Sequence, residues 1–87
     1  MTLDLRGITT KPALHELFKK ELRFPEWYGP SWDAFWDRLV AGDPLPTEVR
    51  LINWQAFADA CPRDMGILRQ ILEDYAREKP GKQLTLS

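Results

Sequence analysis

The chain is poor in the residues that make disulfides, metal sites and membrane spans. It has one cysteine, Cys61, and one histidine, His15, among 87 residues. A lone cysteine excludes an internal disulfide, and one Cys with one His is too small a ligand set for structural zinc. No apolar run approaches the roughly 18 residues of a membrane span, and residues 1–7 lack the apolar core of a secretory signal. We therefore expect a cytoplasmic protein without a metal, a cofactor or a membrane partner.

Catalytic motifs are missing as well. The glycine-rich patterns that cradle phosphates or dinucleotides do not occur, and no histidine is paired with a nucleophile. Paired carboxylates do acid–base chemistry in glycosidases, but 87 residues leave little material for a cleft around a sugar chain. His15 falls inside a predicted helix, and we interpret it as a structural residue at the edge of the core. The sequence predicts no enzymatic activity.

What is present is an ordinary globular composition with an uneven distribution of charge. At 44% hydrophobic and 29% charged residues, the chain is typical of a single soluble domain spanning residues 1–87. Its net charge is only −1, but residues 26–48 hold five acids and one base. This acidic block argues against direct nucleic-acid binding, because phosphates attract the opposite sign. On charge alone, a solvated acidic face without a partner explains it equally well.

Periodicity predicts a small α/β fold. Alternating or β-branched residues predict strands over about 3–6, 49–52 and 83–87. Helical spacing and breakers predict helices over about 12–22, 31–41 and 54–60, and a fourth through residues 67–75 that ends near Pro80. The order is β-α-α-β-α-α-β. Crossovers of this kind imply a three-stranded parallel sheet with four helices and right-handed connections.

The most unusual segment is 25–37, which holds three of the four tryptophans. Within the second predicted helix, which Ser31 can cap, Trp32, Phe35 and Leu39 recur at helical spacing and predict a buried stripe. Trp36 lies one position off that stripe and is expected at the rim of the core.

Two acids occupy another face of the same helix. Asp33 and Asp37 lie four residues apart and project side by side. Two like charges so placed cost roughly a few tenths of a kcal/mol in an isolated helix. The positive N-terminal end of the helix offsets part of this cost for Asp33 and less of it for Asp37. A helix selected for stability alone would more naturally carry Lys at position 37, which is a reason to suspect function.

The preceding loop carries two large rings between proline and glycine breakers. A loop can bury only part of two such rings. We expect Tyr28 to pack under the loop as a lid on the core at least as readily as it meets a partner. Trp27, beside Glu26, is expected to face a partner.

Three segments carry a family resemblance. They are LHELFKKEL at 14–22, PEWYG at 25–29 and WDAFWD at 32–37. A closely similar run, in the same order and without gaps over residues 15–39, occurs in the barstar family of bacterial ribonuclease inhibitors, which this chain resembles. The remainder is similar in length, element order and the closing Leu-Thr-Leu-Ser.

The resemblance implies a function for the acidic helix. In that family, this helix and its preceding loop plug the active site of an extracellular ribonuclease such as barnase. By resemblance, Asp37 takes the position of a substrate phosphate among catalytic Arg, Lys and His side chains. Asp33, Trp27 and Gly29 match further contact positions, although the family has a tyrosine at the position of Trp27.

The chain departs from the family pattern at three places. The family has a tryptophan-containing loop after the position of Leu39, whereas residues 40–44 here read VAGDP, with Gly42 as the expected contact residue. Arg38 makes this segment less acidic. Arg77 falls where the family has a further acidic contact on its last helix, so that only neighbouring acids can replace it: Glu73, Asp74 or Glu78.

These observations lead to three hypotheses. The first is an intracellular inhibitor, monomeric when free, that binds a cationic ribonuclease one to one. The second keeps the fold but makes the chain an immunity or adaptor protein for another toxin or a non-nuclease partner. The third is carbohydrate binding through Trp27, Trp32 and Trp36, which requires all three rings to be exposed in one plane.

Overall fold

The computed structural model describes all residues 1–87 and has the predicted order of elements. Its three strands and four helices have the following bounds: β1 Thr2–Asp4, α1 Lys11–Glu21, α2 Trp32–Ala41, β2 Glu48–Ile52, α3 Gln55–Ala60, α4 Pro62–Glu78 and β3 Gln83–Leu86. The predicted α/β class is confirmed. None of the helices combines the length and apolarity needed to cross a lipid bilayer.

The sheet has one covered face and one open face. Its strands pair in the order β1-β2-β3, and both pairs are parallel. Two right-handed crossovers that step in the same direction place their helices on the same face. The buried strand residues lie on that side: Leu3, Val49, Leu51 and Leu84. The alternate strand residues form an exposed, polar face: Thr2, Asp4, Glu48, Arg50, Gln83 and Thr85.

The first strand ends earlier than the sequence predicts. It stops at Asp4, whereas the alternation continues to Arg6. The Asp4 carboxylate accepts hydrogen bonds from the backbone N–H of Arg6 and from the Asn53 amide, each at 2.9 Å. The bond from Asn53, then that from Arg6, lowers the pKa of Asp4. These contacts turn the chain, and Gly7 completes the turn with a φ of 78°.

The core is a single cluster whose centre is aromatic. Phe18 of α1 stacks on Phe35 of α2 with ring centroids 4.4 Å apart. Trp32 meets Phe35 edge-on at 5.8 Å. Trp32, Phe35 and Leu39 are all buried, so the predicted stripe of α2 is confirmed. This packing sets the rotation of α2 about its own axis, and with it the direction of every exposed side chain on that helix.

A side-chain cap fixes the start of each of the first two helices. The Ser31 hydroxyl accepts the backbone N–H of Ala34 at 3.3 Å, as predicted. The Thr10 hydroxyl does the same for Ala13 in α1. Such caps satisfy donors that have no partner within the helix and contribute about 1 kcal/mol each.

A buried pair joins α1 to the loop before α2. His15 is 2% exposed, deeper than the core edge where we expected it, and its Nδ1 lies 2.5 Å from the hydroxyl of Tyr28. Tyr28 is 6% exposed, so its role as a lid on the core is confirmed, while the expectation that a loop would leave both rings partly exposed is wrong for Tyr28. Desolvation lowers the pKa of His15 to about 4, with Lys11 adding to the effect and Asp64 opposing it.

Because His15 is buried beside Tyr28, we expect the protein to lose stability in mild acid. The imidazole of His15 has a pKa of about 6.5 in the unfolded state and about 4 in the folded state. Between these two pH values the unfolded state is protonated at His15 and the folded state is not. Stability is therefore lost as pH falls through this window, by up to about 3 kcal/mol. Urea unfolding at a series of pH values measures it. His15→Gln retains every carboxylate and should show a shallower pH slope; equal slopes in parent and variant would contradict the prediction.

Candidate protein-docking face

The loop before α2 carries one aromatic ring that is buried in the core and one that is exposed to solvent. Tyr28 is buried, whereas Trp27 is 72% exposed, the most exposed large hydrophobic residue of the chain. Gly29 follows in the same loop and lines a small cavity of about 90 Å³ with His15 and Tyr28. The His15–Tyr28 contact therefore holds down the loop from which Trp27 projects.

The tryptophans of α2 do not share the exposure of Trp27. Trp32 is 9% exposed, and its indole N–H donates to the carboxylate of Asp64 on α4 at 3.0 Å. Trp36 is half-buried against the core, at the rim position predicted for it. A sugar platform needs exposed coplanar rings, and the buried Trp32 contradicts the carbohydrate hypothesis.

The two aspartates of α2 are exposed and carry no internal partner. The ion pairs of the chain lie elsewhere, between Lys19 and Glu26 at 3.7 Å and between Arg77 and Asp74. Asp33 lies in the first turn of α2, where the helix N-terminus favours a negative charge. Asp37, one turn later, lacks even that support. Neither charge is neutralised by an ion pair within the fold.

The acidic block of residues 26–48 is not one surface. Glu26 pairs with Lys19 of α1, and Glu48 belongs to the open face of the sheet, away from the helices. Asp43 follows α2 and lines a cleft with Arg23, which leaves Asp33 and Asp37 as the acids that α2 itself presents. We use the name docking face for the surface formed by Trp27, Asp33, Trp36, Asp37 and Gly42.

Arg38 is the residue of this region whose placement the sequence did not predict. Its guanidinium carbon lies 5.4 Å from the centre of the Trp27 ring, in a cation–π contact. The same guanidinium passes over Gly42: a Cβ on Gly42 would lie 2.5 Å from its Nη2 and 2.6 Å from the backbone carbonyl oxygen of Arg38. Arg38 thus brings Trp27 and Gly42 together. The i, i+4 spacing of residues 38 and 42 was the available signal, since it places both on one side of a helix end.

The acids of the last helix do not gather beside Gly42. Asp74 accepts hydrogen bonds from Arg77 and from Gln70 at 3.1 Å, so its charge is engaged within α4. Glu73 lines a groove beside β3. Tyr75 of α4 and Lys79, the residue that follows α4, line the cleft next to Gly42, and this cleft of about 190 Å³ is lined by no acid.

A capped helix with two exposed carboxylates that have no ion-pair partner, preceded by a loop with an exposed aromatic ring, is a candidate surface for binding another protein. The chain belongs to the Barstar family: the family model described as "Barstar (barnase inhibitor)" matches residues 1–87. A protein of Bacillus subtilis (strain 168), named "Putative ribonuclease inhibitor YrdF", is 36% identical over 53 residues. That stretch is 61% of this chain and 58% of the relative, so the match spans less than two thirds of the relative's own length.

The geometry predicts opposite stability effects for two aspartates. Asp37→Asn removes a charge that has no internal partner and that is repelled by Asp33 one turn away. The substitution should therefore leave the free energy of unfolding unchanged or raise it by about 0.3 kcal/mol. Asp64→Asn weakens the acceptor of the Trp32 indole and should lower it by about 1 kcal/mol. Urea denaturation of both variants measures the difference. A larger loss from Asp37→Asn than from Asp64→Asn would show that Asp37 has a structural role.

Proposed function

We propose that this protein is an intracellular inhibitor of a cationic ribonuclease, and that it binds the enzyme one to one through the docking face. The observation that carries the proposal is the pair of exposed carboxylates, Asp33 and Asp37, which have no ion-pair partner in the fold. Membership of the Barstar family and the name of the Bacillus relative support the same role.

The charge of the docking face suits the chemistry of the target. A ribonuclease must be cationic where it holds the RNA phosphates. An acidic helix complements that surface, attracts it over a distance and occupies the place of the substrate. Asp37 is the proposed phosphate substitute, because it receives the least compensation from its own helix and gains most from Arg or Lys side chains of a partner.

The rigidity of α2 supports inhibition rather than loose association. The Ser31 cap, the Trp32–Asp64 hydrogen bond and the Phe18–Phe35 stack hold the helix before any partner arrives. A preorganised surface loses little conformational entropy on binding, so more of the contact energy appears as affinity. This role requires no reaction by the protein itself, which is why we propose no enzymatic activity.

The alternative is an immunity or adaptor protein that uses the same face against another toxin or a non-nuclease partner. Arg38 and the missing loop aromatic make the periphery of the face differ from the family pattern, which favours a changed target. Affinity capture from cells and medium of the source organism, followed by an RNA-cleavage assay with and without the protein, separates the two. A captured ribonuclease that the protein inhibits supports the first reading, and any other specific partner supports the second.

The central prediction concerns Asp37. In the complex its carboxylate is desolvated against cationic side chains, and its removal leaves them unpaired. Asp37→Ala should weaken binding to the captured ribonuclease by more than about 2 kcal/mol, measured by titration calorimetry and by inhibition of RNA cleavage. Asp59→Ala, an exposed aspartate on α3, is the matched control and should bind as the parent does. Near-normal affinity of Asp37→Ala would refute the proposed mechanism.

A second prediction concerns association kinetics. Attraction between the acidic helix and a cationic enzyme is screened by salt, with a Debye length of about 10 Å at 0.1 M. Stopped-flow measurements should therefore show an association rate that falls as salt rises, while the dissociation rate changes little. The decrease of the association rate with salt should be smaller in an Asp33→Asn/Asp37→Asn double variant. An association rate independent of salt would count against the acidic face as the docking surface.

A further inference from the structure

One cation interrupts the acidic side of α2. Arg38 follows Asp37 directly, and it forms no ion pair with that acid or with any other acid of the chain. Its Nε is buried and has no hydrogen-bond partner. As a basic residue in the last turn, Arg38 also stabilises the negative end of the helix.

Two contacts hold this guanidinium in place. Trp27 lies against it at 5.4 Å from ring centre to Cζ, and Gly42 leaves the space that it occupies. Gly42 has a φ of −84°, which any residue can adopt. The backbone carbonyl oxygen of Arg38, 2.6 Å from the position of a Cβ, is therefore what requires glycine here, and the guanidinium occupies the space that the glycine leaves.

Further cations lie at the same end of α2. The cleft that includes Gly42 is lined by Lys79 and Lys82, and by no acid. Lys82 donates to the backbone carbonyl of Leu45 at 2.7 Å, which fixes its amine beside this cleft. We call Arg38, Lys79 and Lys82 the cationic edge. The docking face is thus acidic at Asp33 and Asp37, while the cleft beside Gly42 is basic; the exposed Asp43 follows Gly42 but lines a different cleft, with Arg23.

We propose that Arg38 is a specificity-determining residue, which selects ribonucleases that present a carboxylate opposite Gly42 and rejects those whose surface is cationic throughout. This inference rests on the proposed function and names a property of the partner. A guanidinium that is desolvated against Lys or Arg weakens binding, because it is repelled and also loses its hydration. A guanidinium that meets Asp or Glu forms an ion pair with hydrogen bonds, which favours binding. Discrimination by an unfavourable charge is an established route to specificity.

Barnase, the ribonuclease named in the family description, is the probe. We expect Arg38→Gln to lower the Kd for barnase at least tenfold, and Arg38→Glu to lower it further, because each removes repulsion from a cationic enzyme. Arg50→Gln is the matched control: it makes the same charge change on the open face of the sheet and should alter Kd less than twofold. The free energy of unfolding of each variant is measured alongside, so that loss of a helix-end charge is not mistaken for a change in recognition.

The second arm tests the carboxylate. Surface Lys and Arg residues around the barnase active site are changed to Glu one at a time. At least one change should strengthen binding to the parent protein tenfold, and the gain should vanish with Arg38→Gln. The inference is overturned if Arg38→Gln binds barnase with a Kd within twofold of the parent's or with a higher Kd. It is also overturned if no barnase substitution strengthens binding in a way that depends on Arg38. If parent, Arg38→Gln and Arg38→Glu all fail to bind barnase, the inference is overturned, because removing the cation has not restored binding, whereas the proposed function is decided separately by the ribonuclease captured from the source organism.

Discussion

The attachment of α2 to the core is the constraint on which the rest of the structure depends. Phe35 stacks on Phe18, and Trp32 is fixed from the other side by the carboxylate of Asp64. These contacts leave the helix one rotation about its axis, and that rotation exposes Asp33 and Asp37. A helix free to roll could reduce the repulsion between its two acids by turning one towards a lysine. The aromatic contacts prevent this, and the acids remain available to another molecule.

The docking face therefore carries a local cost that the core offsets. Like charges one turn apart and a guanidinium with a buried, unpaired Nε are features that stability alone does not favour. Each costs little in comparison with the aromatic cluster beneath them. The interior therefore satisfies the demands of folding, while the exposed side of α2 carries features that stability alone does not explain.

Much of this arrangement could be predicted from periodicity, because the decisive spacing is local. The positions of Trp32, Phe35 and Leu39 within one helix establish which side is buried, and the side of the two acids follows from it. The Ser31 cap was predicted from the local sequence, and the parallel sheet was predicted from the order of the strands and helices. Partners far apart in the chain were not predicted. Nothing in a sequence of one protein joins Trp32 to Asp64, or His15 to Tyr28. The end of β1 was also misplaced, since Asp4 turns the chain through a contact with Asn53.

The open face of the sheet has a consequence of its own. Because the helices cover one side only, the exposed residues of the three strands form a polar surface opposite the helices. Substitutions there alter net charge, and hence solubility and repulsion between copies, without altering the acids that α2 presents. The fold thus separates a polar surface that influences colloidal behaviour from the proposed docking face, and the two can diverge independently among related proteins.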